Sequence, residues 1–166
     1  MDDKFKQIKI KRAQKNDLKK IAEIASDCFS GLKNKKDAIK WIKCNFNAFP
    51  RMQYFVAKNQ KEIAGYVLWM EKGGFRKESV FELEQIAIKK TFQGQGIGTQ
   101  LVEKSLLEIK NYLKKRKSVL KLVEVTTGSE NLAQNLYKKA LGAKPECVVK
   151  NLFRGDEIIM IARYGK

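Results

Sequence analysis

The sequence predicts one mixed α/β domain, and three observations carry that prediction. A chain of 166 residues with 43% hydrophobic side chains can bury a self-sufficient core. Its apolar periodicity switches repeatedly between two residues and three to four, giving the order β-α-α-β-β-β-α-β-α-β-β. No repeat, low-complexity tract or linker interrupts that order, so residues 1–166 read as a single domain.

Taken in order, Lys6 to Lys11 alternates with Ile8 and Ile10 on one face, which predicts a first strand. Asn16 and Asp17 then precede apolar residues at three- and four-residue steps, Leu18, Ile21, Ala22, Ala25, Cys28 and Phe29, a helix that Gly31 should stop. Lys35 to Phe46, with Ile39, Ile42, Cys44 and Phe46 around Trp41, predicts a second helix, and Pro50 closes the connection. Met52 to Lys58 and Glu62 to Met70 predict a hairpin through Asn59, Gln60 and Lys61. Gly73 and Gly74 break the chain before a fourth strand, Val80 to Ile88, which places Glu82, Glu84, Ile86 and Ile88 on one side. Leu101, Val102, Leu106, Ile109 and Leu113 form a helical stripe, and Lys114 to Lys117 suits the negative end of that helix. Val119 to Thr127, dense in Val and Leu, predicts a central strand. Gly128 to Ala140 predicts a helix with Leu132, Leu136 and Tyr137 on its apolar face and Gly142 just past its end. Cys147 to Phe153 and Glu157 to Ala162 predict a closing hairpin through Arg154, Gly155 and Asp156.

Composition removes several classes of function. With no histidine, Ser-His-Asp and Cys-His machinery and imidazole bases are excluded, and no metal is expected. Cys28, Cys44 and Cys147 show no close pairing and read as reduced thiols packed as small hydrophobes. Neither a signal-like apolar stretch nor a membrane-length one is present, so a cytoplasmic protein without a membrane partner is expected. The net charge of +17 steers anions towards the surface. No zinc-finger spacing, aromatic-glycine RNA signature or heptad supports a nucleic-acid module, so nucleic acid is not expected as the direct ligand.

The segment from Leu83 to Thr99 concentrates the chemistry. A hydrophobic strand leads into Gly94, Gly96 and Gly98 at alternate positions and then into a helix, a junction that can turn several N–H groups and a helix dipole towards one phosphate. Spacing separates the readings. A P-loop needs a Lys-Ser/Thr pair where Gly98 is followed by Thr99 and Gln100. The dinucleotide fingerprint needs a third glycine where Thr99 or Leu101 stands.

Beside a purely structural turn, with glycines chosen for tight geometry alone, there remains Gln93-x-x-Gly96-x-Gly98, which resembles the pyrophosphate-binding signature of the GNAT superfamily of acyl-CoA-dependent N-acetyltransferases. The strand Glu84 to Ile88 before it and the stretch Asn131-Leu132-Ala133-Gln134-Asn135-Leu136-Tyr137 downstream resemble that family's elements in the same order, so the resemblance covers nearly the whole chain. It implies the GNAT fold: a mixed, mostly antiparallel sheet of about seven strands, splayed between the fourth and fifth, with four helices.

The resemblance also implies roles. The cofactor's arm would lie along Ile86, Ala87 and Ile88, with the Ile86 N–H facing the thioester carbonyl. Gln93, Gly94, Gln95, Gly96, Ile97, Gly98 and Thr99 would hold its pyrophosphate, and Asn131 would bond the arm. Tyr137 matches the tyrosine that stands near the sulfur and would protonate the leaving thiolate. The attacking amine must lose a proton, and Glu84, two residues before Ile86 on the same face, is the first choice as base, with Glu82 second. The implied activity is acetyl transfer from acetyl-CoA to a primary amine by direct attack. A protein or peptide amine is preferred as acceptor. A polyamine or aminoglycoside-like amine, a non-catalytic acyl-CoA-binding module and a homodimer all stay open.

Overall fold

The computed structural model describes residues 8–60 and 62–165. The elements follow the predicted order: β1 (Lys9–Arg12), α1 (Leu18–Cys28), α2 (Lys35–Asn47), β2 (Met52–Lys58), β3 (Ile63–Lys72), β4 (Glu78–Ile88), α3 (Ile97–Lys115), β5 (Val119–Gly128), α4 (Gln134–Leu141), β6 (Lys144–Val149) and β7 (Glu157–Arg163). The seven strands form one sheet in the order β1-β2-β3-β4-β5-β7-β6. β1 and β2, β5 and β7, and β6 and β7 pair antiparallel. The connections 59–62 and 73–77 are too short for a crossover, so β3 is antiparallel to both its neighbours.

Among the described residues, the single parallel pair is β4 with β5. Their ladder runs from Glu78↔Val119 to Glu82↔Glu124 and stops there, with Leu83 to Ile88 of β4 lying beyond its last rung. This is the mixed, mostly antiparallel sheet expected, with its irregularity between the fourth and fifth strands.

The described chain divides into two compact units, one holding the residues up to Leu68 with Gln85–Ser105, the other Trp69–Glu84 with Leu106 onwards. In the first, Ile21, Ile24 and Ala25 of α1 and Ala38 and Ile42 of α2 are buried, as are Tyr54 to Ala57 of β2 and Tyr66 to Leu68 of β3. The continuous burial of β2 and β3 marks strands covered on both faces. In the second unit the core is Trp69, Phe81, Leu83, Ile109, Leu113, Val123, Val125, Met160 and Ala162. Arg116, expected only as a helix-end charge, crosses to the buried Glu71, its Nη1 donating to Oε2 at 2.9 Å, and also donates from Nη2 to the Ser79 hydroxyl at 2.8 Å. Lys114 and Lys115 keep the helix-end role.

Several boundaries differ from expectation for physical reasons. Lys6 and Gln7 of the first predicted strand, and Lys61 of the hairpin turn, lie outside the described residues. Asp17 does not cap α1 directly: a 3-10 turn, Lys15–Asp17, comes first, and its carboxylate accepts from the Gln14 N–H at 2.9 Å and from Lys58 Nζ at 3.0 Å. α1 ends at Cys28 through an extended Phe29, before Gly31, which lies in a second 3-10 turn. The α4 helix starts at Gln134 instead of Gly128. Asn131 Oδ1 accepts from the Ala133 N–H at 2.9 Å, and Gln134 Nε2 donates to the Ser129 carbonyl at 2.8 Å. These side-chain bonds satisfy a turn where helix was expected, and they leave Leu132 82% exposed. Phe153, expected in the last hairpin, lies in the loop between β6 and β7.

Candidate active site

After β4 the chain makes a 3-10 turn, Lys90–Phe92, and enters α3 at Ile97. Phe92 and Ile97 are buried, so the exposed residues Gln93 to Gly96 hang between two apolar anchors. Gly94 and Gly96 both take φ = +75°, a region that L side chains enter at a cost. A Cβ on either would meet no atom within 4 Å, so backbone conformation requires glycine there and the space above stays clear.

Among the described residues, the N–H groups of Gly94, Gln95, Gly96, Ile97, Gly98 and Thr99 make no hydrogen bond. The Gln100 N–H is the first to reach back, to the Gly96 carbonyl at 3.1 Å. Unbonded donors at the positive end of a 19-residue helix suit an anion. The side chains of the turn bind the turn itself: Gln93 Nε2 donates to the Ile88 carbonyl at 2.9 Å, and Gln95 Nε2 to the Thr91 carbonyl at 3.2 Å. A cavity of about 690 Å³ beside it is lined by Lys89, Lys90, Thr91 and Gln93, with Ile24, Asp27 and Cys28 opposite. Lys89 is held by Glu62 at 2.7 Å, whereas Lys90 makes no ion pair among the described residues.

The alternation expected along β4 is present, with Phe81, Leu83 and Ala87 buried and Glu82, Glu84, Ile86 and Ile88 partly exposed. The two carboxylates differ in their partners. Lys72 Nζ lies 3.2 Å from Glu82 and 2.9 Å from Glu124, so Glu82 is ion-paired. Glu84 has no ion pair or hydrogen bond among the described residues. Burial raises its pKa above the ordinary carboxylate range, the Glu82 charge adds to the rise, and Lys72 opposes it.

Tyr137 sits in α4, 6% exposed, and burial pushes its phenol up to about 12. It is therefore protonated at neutral pH and able to donate. Its hydroxyl makes no hydrogen bond among the described residues. Asn131 lies in the turn before α4, with its carbonyl oxygen committed to that turn and its amide Nδ2 making no hydrogen bond among the described residues.

The profile of the Acetyltransferase (GNAT) family matches residues 18–143, well over half of the chain. The chain belongs to that family. An uncharacterized N-acetyltransferase of Methanocaldococcus jannaschii is 28% identical over 153 residues, covering 87% of this chain; the chain spans 64% of that relative's length. Among solved structures, a variant of the spermidine N-acetyltransferase of Vibrio cholerae matches with a TM-score of 0.72 at 19% identity, over 93% of this chain and 92% of that one. The NatC complex bound to Gag peptide and CoA matches with a TM-score of 0.76 at 16% identity, over 96% and 99%. At such identities the structural matches establish the fold.

Within this GNAT chain, three residues near the predicted site escaped the sequence reading. Gly65 of β3 lies under the end of β4, where an added Cβ would stand 2.6 Å from the Ala87 carbonyl oxygen and collide with Ile88 Cδ1. An isolated glycine inside a strand pattern was the available signal. Lys72 and Glu124 come from different strands, and no local pattern links them. The cysteines reverse an expectation: Cys28, Cys44 and Cys147 are free thiols, as expected, but exposed instead of packed. Partial desolvation at the cavity rim, then the Asp27 charge, raises the pKa of the exposed Cys28 thiol, and Lys90 opposes the rise. No group of three or more His, Cys, Asp or Glu able to hold a metal occurs among the described residues.

Proposed function

We propose that this chain is an acetyl-CoA-dependent N-acetyltransferase, a single acetyltransferase domain over residues 1–166, acting on a primary amine of a protein or peptide. The observation that carries the reading is the run of unbonded N–H groups from Gly94 to Thr99 at the head of α3, under clear space, in a member of an acetyltransferase family. These donors fit the pyrophosphate of coenzyme A, and Lys90 adds a cation beside them.

Acetyl-CoA, when bound, supplies an activated thioester. The main-chain N–H of Ile86 is the proposed donor to the thioester carbonyl oxygen, where a fixed dipole needs no reorganisation as charge develops. Ala87 and Ile88 extend the backbone surface along the arm, and Asn131 offers its amide to it. Glu84 takes the proton from the attacking amine nitrogen: it has no ion pair or hydrogen bond among the described residues, and its raised pKa brings it closer to working pH. Glu82, engaged by Lys72, is the weaker candidate. Tyr137, protonated at neutral pH, donates to the departing sulfur. The positive charge of the whole chain, +17, opposes a free polycation as acceptor and supports the preference for a peptide amine.

The test is thiol release from acetyl-CoA in the presence of peptides with free α-amines, lysine peptides, spermidine and an aminoglycoside. Release above the acceptor-free rate with a peptide is the expected result. Release with spermidine alone would replace the peptide preference, and binding of acetyl-CoA without release for any amine would make the chain a binding module.

A further inference from the structure

The last rung of the parallel ladder joins two carboxylates, Glu82 and Glu124, at the place where the β4–β5 pairing ends. Like charges directly opposed on neighbouring strands push those strands apart. The opposing charge comes from a third strand: Lys72, the final residue of β3, lies 3.2 Å from Glu82 and 2.9 Å from Glu124. The side chains of Glu82 and Glu124 are 13% and 21% exposed and that of Lys72 is 35% exposed, so the group is shielded enough for the contacts to matter. One ammonium thus spans three adjacent strands at the fork.

We propose that Lys72 is the positioning residue of this fork: by holding Glu82 and Glu124 on one ammonium it sets the point at which β4 and β5 part and leaves Glu84 as the unpaired carboxylate beyond it. Without Lys72 the last rung would carry two unshielded negative charges, the ladder would fray towards Glu78, and Glu82 would become a second unpaired carboxylate on the same face. Burial lowers the affinity of the Lys72 amine for its proton, but the bonds and charges of Glu124 and Glu82 outweigh it, so the clasp stays charged. Its consequence for cofactor affinity rests on the acetyl-transfer reading; the clasp itself does not.

Two measurements keep these separate. Amide hydrogen exchange over the last rungs of the ladder, at Val80, Phe81 and Glu82 of β4 and Leu122, Val123 and Glu124 of β5, reads the fork directly. KM for acetyl-CoA against kcat reads its link to the site. In Lys72→Met, exchange at those amides should quicken and KM should rise, each by about tenfold, the scale of coupling between contacting charges, with kcat changed less. Lys72→Arg should restore both, and Lys72→Met combined with Glu124→Gln should recover most of the loss by removing the repulsion. Unchanged exchange and KM in Lys72→Met would overturn the proposal, as would an arginine variant as impaired as the methionine one or a double variant without recovery. Should Lys72→Met fail to fold, the arginine and double variants carry the same comparison. A wild-type chain that releases no thiol would overturn the acetyl-transfer reading while the exchange data still judge the clasp.

Discussion

At the scale of single residues the proposed chemistry rests on Glu84 and Tyr137, and burial raises the pKa of both. A base must be ionised to act, so kcat/KM should climb with pH through the raised Glu84 pKa, and Glu84→Gln should lose that acidic limb while Glu82→Gln keeps it. The same shift has a stability sign. The folded state holds the Glu84 proton more tightly than the unfolded chain, so stability contributed by this group is present below the unfolded pKa and lost as pH rises through the folded one. Thermal melts should therefore show Glu84→Gln gaining on the wild type from acid towards neutral pH. Tyr137→Phe should cut turnover by about 10²-fold, the lower range for a lost general acid, with acetyl-CoA affinity held within a factor of two. Equal losses in turnover and affinity would make Tyr137 a packing residue.

At the scale of elements, much of the chain was legible because local signals and tertiary packing agree. The stripe Leu101, Val102, Leu106, Ile109 and Leu113 is buried along α3, and the acidic pair of β4 shares a face as its alternation required. Misreadings arose where side chains bond the backbone locally. The turn held by Asn131 and Gln134 displaced the start of α4, and the Gln14–Asp17 turn displaced the cap of α1. The cap of α2, Asn34 Oδ1 accepting from the Lys36 N–H at 2.9 Å, also went unread. Asn34→Ala should cost about 1 kcal/mol in a denaturant melt, the usual value for a lost N-cap. Partnerships across strands, Lys72 with Glu82 and Glu124 or Gly65 under Ala87, have no local sequence signature at all. Gly65→Ala should destabilise by about 1–3 kcal/mol, because the added methyl collides with the backbone of β4.

For the whole molecule, family membership and strand order agree with the sequence reading, whereas the acceptor amine is written in no motif. Residues 30–36, 41–49 and 71–79, the segments proposed to select it, follow no repeated pattern. The positive charge of +17 has a consequence that salt exposes: acetyl-CoA affinity should weaken severalfold as ionic strength rises from about 0.05 to 0.5 M, since screening shortens the reach of the field. The turn Gln93 to Thr99 is the proposed binding site for the pyrophosphate of acetyl-CoA. A calorimetric titration of acetyl-CoA into the wild type and into Gly96→Asp tests it most directly, with cooperative melting of the variant as its control. Single-site binding to the wild type and none to the folded variant is the predicted result; equal binding to both, or none to the wild type, would contradict it.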